Sequence, residues 1–262
     1  MQNKENFVRF LLGTGALIFG DFSLKSGRKS PYMINTGEVC SGETLSRFGC
    51  FYARTIIEKI ELGIIPKDID IIFGSAYKGI PLAVATSIAL SAAFNMNVGY
   101  AFNRKVEKDH GEGGIFVGMA PAPGAKILII DDVMTAGTAL RETAELIKKQ
   151  APDVQIVGSV ISVDRKERGR DGRLTAVAET QYELGIPVFS IVDIDEIVGL
   201  LRSTKLAEKQ PAETGGEEDL GYTYRLDIGG KEMLDDIHAA LPTEEQIVAI
   251  ENYLAEQRPR RA

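Results

Sequence analysis

Thirteen residues, Ile127 to Ala139 (ILIIDDVMTAGTA), constrain this chain more than any others. Ile127 to Ile130 is a short, largely β-branched apolar run bounded by charge and glycine. That pattern predicts a central parallel strand buried on both faces, not a helix. Two adjacent acids, Asp131 and Asp132, close the run, and a small, hydroxyl-rich turn from Thr135 to Thr138 opens a helix predicted over Thr138 to Gln150. The first amides of a helix have no internal partner and point outward, toward an anion. Acids beside an anion site make sense where they face hydroxyls or a metal, and a phosphorylated ribose offers both. A strand ending in an acid is common among doubly wound proteins, so Asp-Asp alone says little, whereas the whole string is far more specific. A dinucleotide site is the competing explanation, but no G-x-G-x-x-G follows a strand and no Walker A string occurs.

Composition bounds the rest. With 262 residues and 44% apolar content the chain can bury one substantial core, and one domain with a small appendage is expected rather than two full domains. The formal charge of -7 argues against broad nucleic-acid binding, which needs a surplus of Lys and Arg. No apolar segment reaches membrane-spanning length. Phe10 to Gly20 has the apolar look of a signal-peptide core, yet Glu5 precedes it, two glycines interrupt it and no A-x-A site follows. Cys40 and Cys50 are too few for a disulfide framework and lack metal-ligand neighbours, so reduced structural thiols in a cytoplasmic protein are expected. His110 and His238 are the only histidines, which excludes a His-rich metal site. Any metal is expected to arrive with the substrate.

Strand-like runs at Ile69 to Phe73, Val98 to Phe102, Lys126 to Ile130, Gln155 to Val163 and Pro187 to Val192 alternate with helical stretches at Gly79 to Ala93, Thr138 to Gln150 and Leu174 to Leu184. The alternation predicts an α/β fold, a mostly parallel sheet with helices on both faces. Ser41 to Gly63 reads as a long amphipathic helix with a Ser cap and a Gly stop. Ala16 to Asn35 reads as short strands and turns, forming a hood over the carboxyl end of the sheet, where open α/β sheets bind ligands. The organisation expected is an N-terminal hood over 1–40, an α/β core over 41–204, an insertion of uncertain structure over 205–240, and a C-terminal helix with a basic tail over 241–262. Within the last parts, Asp195 to Thr204 is predicted helical, Tyr222 to Ile228 is a possible short strand, and Glu244 to Glu256 is a final helix. The insertion is expected to be a surface excursion, with a small β-element at a subunit or domain edge as the alternative. The Arg cluster from Arg258 to Arg261 is expected to be a solvated, frayed end.

Four further segments carry chemistry. Phe73-Gly-Ser-Ala-Tyr-Lys-Gly follows a strand and precedes a helix, so its amides and Lys78 can hold a second anionic group. Two anion cradles on neighbouring strands fit a ligand phosphorylated at both ends, such as PRPP. Asn103 to Gly114 is polar and closes on three closely spaced glycines, and its Arg104, Lys105 and Lys108 are matched by Glu107, Asp109 and Glu112. It reads as a mobile loop without the net positive charge of a nucleic-acid arm, of the kind that closes over a reactive site. Leu17 to Asn35 supplies Lys25 and many backbone donors, and Val163-Asp-Arg places Arg165 just past a strand end. A guanidinium there suits a carboxylate-bearing base.

Taken in order, these segments resemble the orotate phosphoribosyltransferases of the bacterial and fungal kind, within the type I phosphoribosyltransferase fold. The resemblance covers roughly residues 7 to 200 and rests on the Leu24-Lys-Ser-Gly-Arg hood, Ala76-Tyr-Lys-Gly, the Asn103-Arg-Lys to Gly114 loop, the Asp131-Asp132 string and Val163-Asp-Arg. It implies transfer of a 5-phosphoribosyl group from PRPP to N1 of orotate, giving orotidine 5'-phosphate and pyrophosphate in pyrimidine synthesis. On that resemblance Lys25, Tyr77, Lys78, Arg104, Lys105, Lys108 and His110 would hold PRPP, chiefly its pyrophosphate. Asp131 and Asp132 would take the ribose hydroxyls, and Val133, Met134, Thr135, Ala136, Gly137, Thr138 and Ala139 the 5-phosphate. Orotate would lie against Met33 and Ile34, with Thr135 and Arg165 at its polar edge. The family often has two aromatics where this chain has Met33-Ile34, which weakens any stacking argument there.

The resemblance also implies Mg²⁺ held mainly by PRPP and water, and closure of Lys105, Lys108 and His110 on the leaving pyrophosphate beside Asp131 and Asp132. It implies a homodimer in which the 103–114 loop reaches the neighbouring subunit's site. A phosphoribosyltransferase for another base and a PRPP-sensing regulator without chemistry are the alternatives. The cationic, glycine-hinged loop argues against the regulator.

Overall fold

The computed structural model describes residues 2–23, 28–108, 114–203 and 240–259. Its main sheet contains strands β3 (Ile71–Gly74), β4 (Gly99–Lys108), β5 (Gly114–Gly118), β6 (Lys126–Ile130), β7 (Val133–Met134), β8 (Gln155–Asp164) and β9 (Val188–Asp193). An N-terminal hairpin of β1 (Leu17–Ser23) and β2 (Lys29–Ile34) forms a separate two-stranded sheet. The helices are α1 (Gln2–Gly13), α2 (Gly42–Glu61), α3 (Gly79–Phe94), α4 (Thr138–Gln150), α5 (Ala176–Leu184), α6 (Ile194–Arg202) and α7 (Glu244–Gln257).

Strands β4, β3, β6, β8 and β9 lie side by side and parallel, and β5 adds an antiparallel edge to β4. Alternate residues of each central strand enter opposite cores, because side chains alternate across a sheet. Ile72, Leu128, Ile130 and Val160 join the core beneath α1, α2, α3, α6 and α7. Ile71, Phe73, Ile127, Ile129 and Ile161 face the smaller core under α4 and α5. Covering on both faces is why Ile127 to Ile130 is apolar without alternation.

Strand β7 continues the line of β6. Ile130 is opposite Val160 and Val133 opposite Val163, so the register on β8 is the same on both sides of Asp131 and Asp132. The two acids therefore occupy an interruption in one long strand rather than its end. Within it Asp131 N–H still donates to the Val160 carbonyl at 3.2 Å, and Ser162 N–H to the Asp132 carbonyl at 2.6 Å.

Helix α2 starts at the predicted serine: Ser41 Oγ accepts from Thr44 N–H in a reciprocal capping box. It stops at Gly63, whose φ of +67° favours glycine. Three further features depart from the sequence reading. Helix α1 was not expected there, and its Phe7 and Phe10 pack against Phe48 and Phe51 of α2 at ring-centre distances of 5.0 to 5.7 Å. The polar segment read as a loop from Asn103 instead extends β4 to Lys108, because β5 offers an antiparallel partner that pairs Asn103 with Phe116. Arg258, expected to be frayed, pairs with Asp195 at the start of α6. The insertion up to residue 239, including Tyr222 to Ile228, lies outside the described residues.

Helices α2 and α3 approach closely at Gly49, where an added Cβ would lie 2.6 Å from the Ala85 carbonyl group. Gly49→Ala is expected to cost about 1–3 kcal/mol by overpacking, lowering Tm by several degrees in a thermal melt. An unchanged Tm would show that the two helices can separate without loss.

Candidate active site

The turns after β3 and β6 open on the same end of the sheet, as parallel strands require of their carboxyl ends. After β3 the chain runs Ser75, Ala76, Tyr77 and Lys78 into α3, with a cis peptide between Ala76 and Tyr77. Helix α3 has no side-chain cap. Gly79 lies so close to β6 that a Cβ would come within 2.7 Å of the Ile130 carbonyl. Tyr77 is exposed.

Lys78 reaches across to the acids. Its Nζ is 2.9 Å from Asp132 Oδ2 and donates to Thr36 Oγ1 at 3.3 Å, while Thr36 donates to Asp132 Oδ2 at 2.9 Å. One carboxylate thus joins the β3–α3 turn, the short helical turn Thr36–Glu38 after β2, and the centre of the sheet.

Asp131 is placed differently. Its Oδ1 accepts from Asp132 N–H at 3.0 Å, and its carbonyl accepts the Tyr52 hydroxyl of α2 at 2.7 Å. Burial, reinforced by the neighbouring Asp132 charge and opposed by Lys78, pushes its carboxyl up to about 7. Tyr52 is itself wholly buried and held well above its ordinary value by that burial, so it stays a hydrogen-bond donor.

The second turn, Thr135 to Gly137, enters α4 with Gly137 at φ +72° and no side-chain cap. Thr135, Thr138 and Ala139 are exposed, leaving the first amides of α4 accessible. Arg141 secures the turn from below: its guanidinium donates to the Ala136 carbonyl and to Glu183, and lies 3.2 Å from Glu179 Oε2. A Cβ on Gly137 would meet Thr180 Oγ1 at 2.2 Å, so space and φ together demand glycine. Arg104, at the start of the β4–β5 arm, borders a cavity of about 400 Å³ with Ser75, Ala76 and Ala139.

Two helix starts without side-chain caps thus bracket the acid pair at one end of the sheet, and known proteins say which family builds such a chain. Residues 51–182 match the phosphoribosyl transferase domain family. The chain is 53% identical over 193 residues to the orotate phosphoribosyltransferase of Bifidobacterium adolescentis, covering 74% of this chain and 83% of that one. It is 51% identical over 207 residues to the Bifidobacterium longum enzyme of the same name, covering 79% and 89%. The crystal structure of an orotate phosphoribosyltransferase from Francisella tularensis matches with a TM-score of 0.65 at 33% identity, over 89% of this chain and 96% of the other. The chain belongs to the orotate phosphoribosyltransferase family.

Of the residues singled out in the sequence, the structure joins Lys78 to Asp132 directly, bonds Asp131 to the Asp132 amide, sets Tyr77 beside Lys78 in the β3–α3 turn, and brings Arg104 and Ala139 to one cavity. Lys25 and His110 lie outside the described residues, as do the side chains of Lys105 and Lys108 on β4. Met33 lies on β2 opposite Ile18, and Ile34 packs against the main core, so its side chain is turned to the fold's interior. Arg165 stands just past β8, next in register to Thr135, but it is buried and its Nε donates to Glu167 at 2.8 Å. The sequence reading missed Thr36, Tyr52, Arg141, Ser162 and Glu167. Only Arg141 carried a local signal, one turn into a helix that starts at the cradle.

Side-chain carboxyl NMR of the ligand-free protein is expected to give Asp131 a midpoint near 7. Asp132→Asn should lower it while leaving it above the ordinary carboxylate range, since burial is the larger cause. A midpoint in the ordinary range would mean the pair is open to water.

Proposed function

We propose that the two turns, the acid pair and Arg165 carry the family's reaction in this chain: transfer of the 5-phosphoribosyl group of PRPP to N1 of orotate, giving orotidine 5'-phosphate and pyrophosphate. The observation that carries this reading is the 2.9 Å contact of Lys78 with Asp132, which makes one site of two anion cradles. The α4 turn, Val133 to Ala139, holds the 5-phosphate on free helix amides. Asp131 and Asp132 take the ribose hydroxyls, and the ligand displaces Lys78 from Asp132 toward the pyrophosphate. Tyr77 and Arg104 flank that pyrophosphate, joined by Lys25, Lys105, Lys108 and His110. Arg165 and Thr135 meet the polar edge of orotate, with β2 beside Met33 and Ile34 as its wall.

Catalysis is then mostly electrostatic positioning. The sugar carbon becomes oxocarbenium-like as pyrophosphate departs, and the cations of the β3–α3 turn and the β4–β5 arm hold the leaving charge. Orotate N1 attacks as an anion, so no protein base is required. Mg²⁺ arriving with PRPP suits the chemistry of the donor set, since the adjacent carboxylates of Asp131 and Asp132 are the hard oxygen groups that such a cation and its waters take. Asp131 and Asp132 would face it through the ribose hydroxyls or water, and when bound it would neutralise the pyrophosphate. Purified protein with PRPP and Mg²⁺ is expected to consume orotate, followed by its ultraviolet absorbance, and to stop on addition of EDTA. Faster use of uracil or hypoxanthine would overturn the base assignment, and undiminished turnover in EDTA the metal's role.

The site is proposed to work in a homodimer. Helix α3 is apolar on all sides, a composition suited to burial, yet Ile88 is 52% exposed. Between α2 and α3 an open apolar cleft of about 360 Å³ is lined by Leu45, Cys50, Val84, Ile88 and Ala92. A second copy of the chain is the occupant that the family suggests. Sedimentation should show a dimer that Ile88→Asp converts to monomer, and a monomeric parent protein would sink the idea.

A further inference from the structure

Arg165 is held by a buried network that reaches the C-terminal helix, far outside the phosphoribosyl motifs. Its guanidinium donates through Nε to Glu167 Oε1 at 2.8 Å and through Nη2 to Ser30 Oγ at 3.3 Å, and it stacks 4.6 Å from the centre of the Tyr32 ring. Glu167 is 3% exposed. The same Oε1 accepts the Tyr253 hydroxyl of α7 at 2.8 Å, and the Tyr32 hydroxyl lies 3.5 Å away. Oε2 has Arg28 Nη1 at 3.3 Å, an ion pair whose alignment does not make a hydrogen bond. Burial and then the Glu167 charge raise Tyr253 above its ordinary value, which keeps its proton available for donation.

The backbone between the two residues is also constrained. Lys166 has φ +50°, a left-handed conformation that is unfavourable for a non-glycine residue and persists where its surroundings over-determine it. Asp164 Oδ1 accepts from Lys166 N–H at 2.8 Å, and Lys166 Nζ pairs with Asp193 at 2.8 Å. The end of α7 adds three bonds to the same corner. Arg168 N–H donates to the Gln257 carbonyl at 3.0 Å, Arg168 Nη2 to the Glu256 carbonyl at 2.7 Å, and Arg28 Nη1 to Gln257 Oε1 at 3.3 Å. The left-handed residue sets Arg165 and Glu167 side by side, and α7 closes the corner that contains them. A guanidinium fixed in this way keeps its donors oriented without spending side-chain entropy when a planar carboxylate arrives.

We infer that α7 is part of the base site and that Tyr253 is a positioning residue, holding Glu167 so that Arg165 presents its guanidinium to the carboxylate of orotate. The inference rests on the proposed role of Arg165. It gives the C-terminal helix a task in substrate selection, beyond covering the core.

Steady-state kinetics and thermal melts of the full chain test it. Tyr253→Phe keeps the ring that packs edge-on 6.0 Å from Tyr32 and removes only the hydroxyl. It is expected to raise KM for orotate about tenfold, the size of one lost hydrogen bond to a charged group, while KM for PRPP stays put and Tm falls modestly because Glu167 loses a buried partner. Glu167→Gln, which preserves shape, should show the same split between substrates. Equal rises in both KM values, or a lower Tm with neither KM changed, would mean that the hydroxyl only anchors the helix and would overturn the inference. Arg165→Gln separates the two layers. If it raises the orotate KM and Tyr253→Phe does not, the positioning role fails alone. If Arg165→Gln leaves that KM unmoved, the assignment of Arg165 fails and the inference falls with it.

Discussion

Two carboxylates side by side in the middle of a buried strand repel each other and resist desolvation, and most of the site is arranged around that fact. The strand cannot bend away, because β6 and β7 keep one register along β8 on either side of the acids. The surroundings divide the cost instead. Asp132 is held by Lys78 and Thr36, while Asp131, partly buried beside it, has its carboxyl moved up to about 7. In the proposed reaction a polyhydroxylated ligand bearing its own cation would offer what Asp131 lacks, and an anion would draw Lys78 from Asp132.

The same logic recurs at the rim, where buried guanidinium groups hold the loops. Arg141 ties the Ala136 carbonyl to Glu179 and Glu183, and Arg165 ties Ser30 of the hood to Glu167. A buried charge missing one partner is costly, so such groups hold a single arrangement more firmly than apolar packing does. This rigidity suits a reaction in which the protein's main contribution is placement.

What was legible in the sequence was local. Ile127 to Ile130, the acids and the turn to Thr138 could be read because strand burial, turn chemistry and a helix start each leave a mark within a few residues. Ser41 and Gly63 bounded α2 for the same reason. The arm beyond Asn103 misled because its strand character comes from pairing with β5, and its own charged composition shows no strand period. Helix α1 was obscured because Asn6 and Arg9 are buried beside its apolar residues, blurring the pattern of a single apolar face.

By itself, the sequence determined the parallel α/β class, the acid pair after a buried strand, the two turns that open helices and the family resemblance, since each is written in contiguous residues. Only the tertiary structure decided which partners tune them. Tyr52 meets Asp131 across 79 positions, Thr36 meets Asp132 across 96 and Tyr253 meets Glu167 across 86. No local pattern records such pairings, because a tyrosine or threonine looks the same in sequence whether it faces water or a buried carboxylate. The packing of α2, the hood and α7 against one end of the sheet is what turns a strand-and-turn string into a site with an acid of altered affinity for protons and a fixed guanidinium.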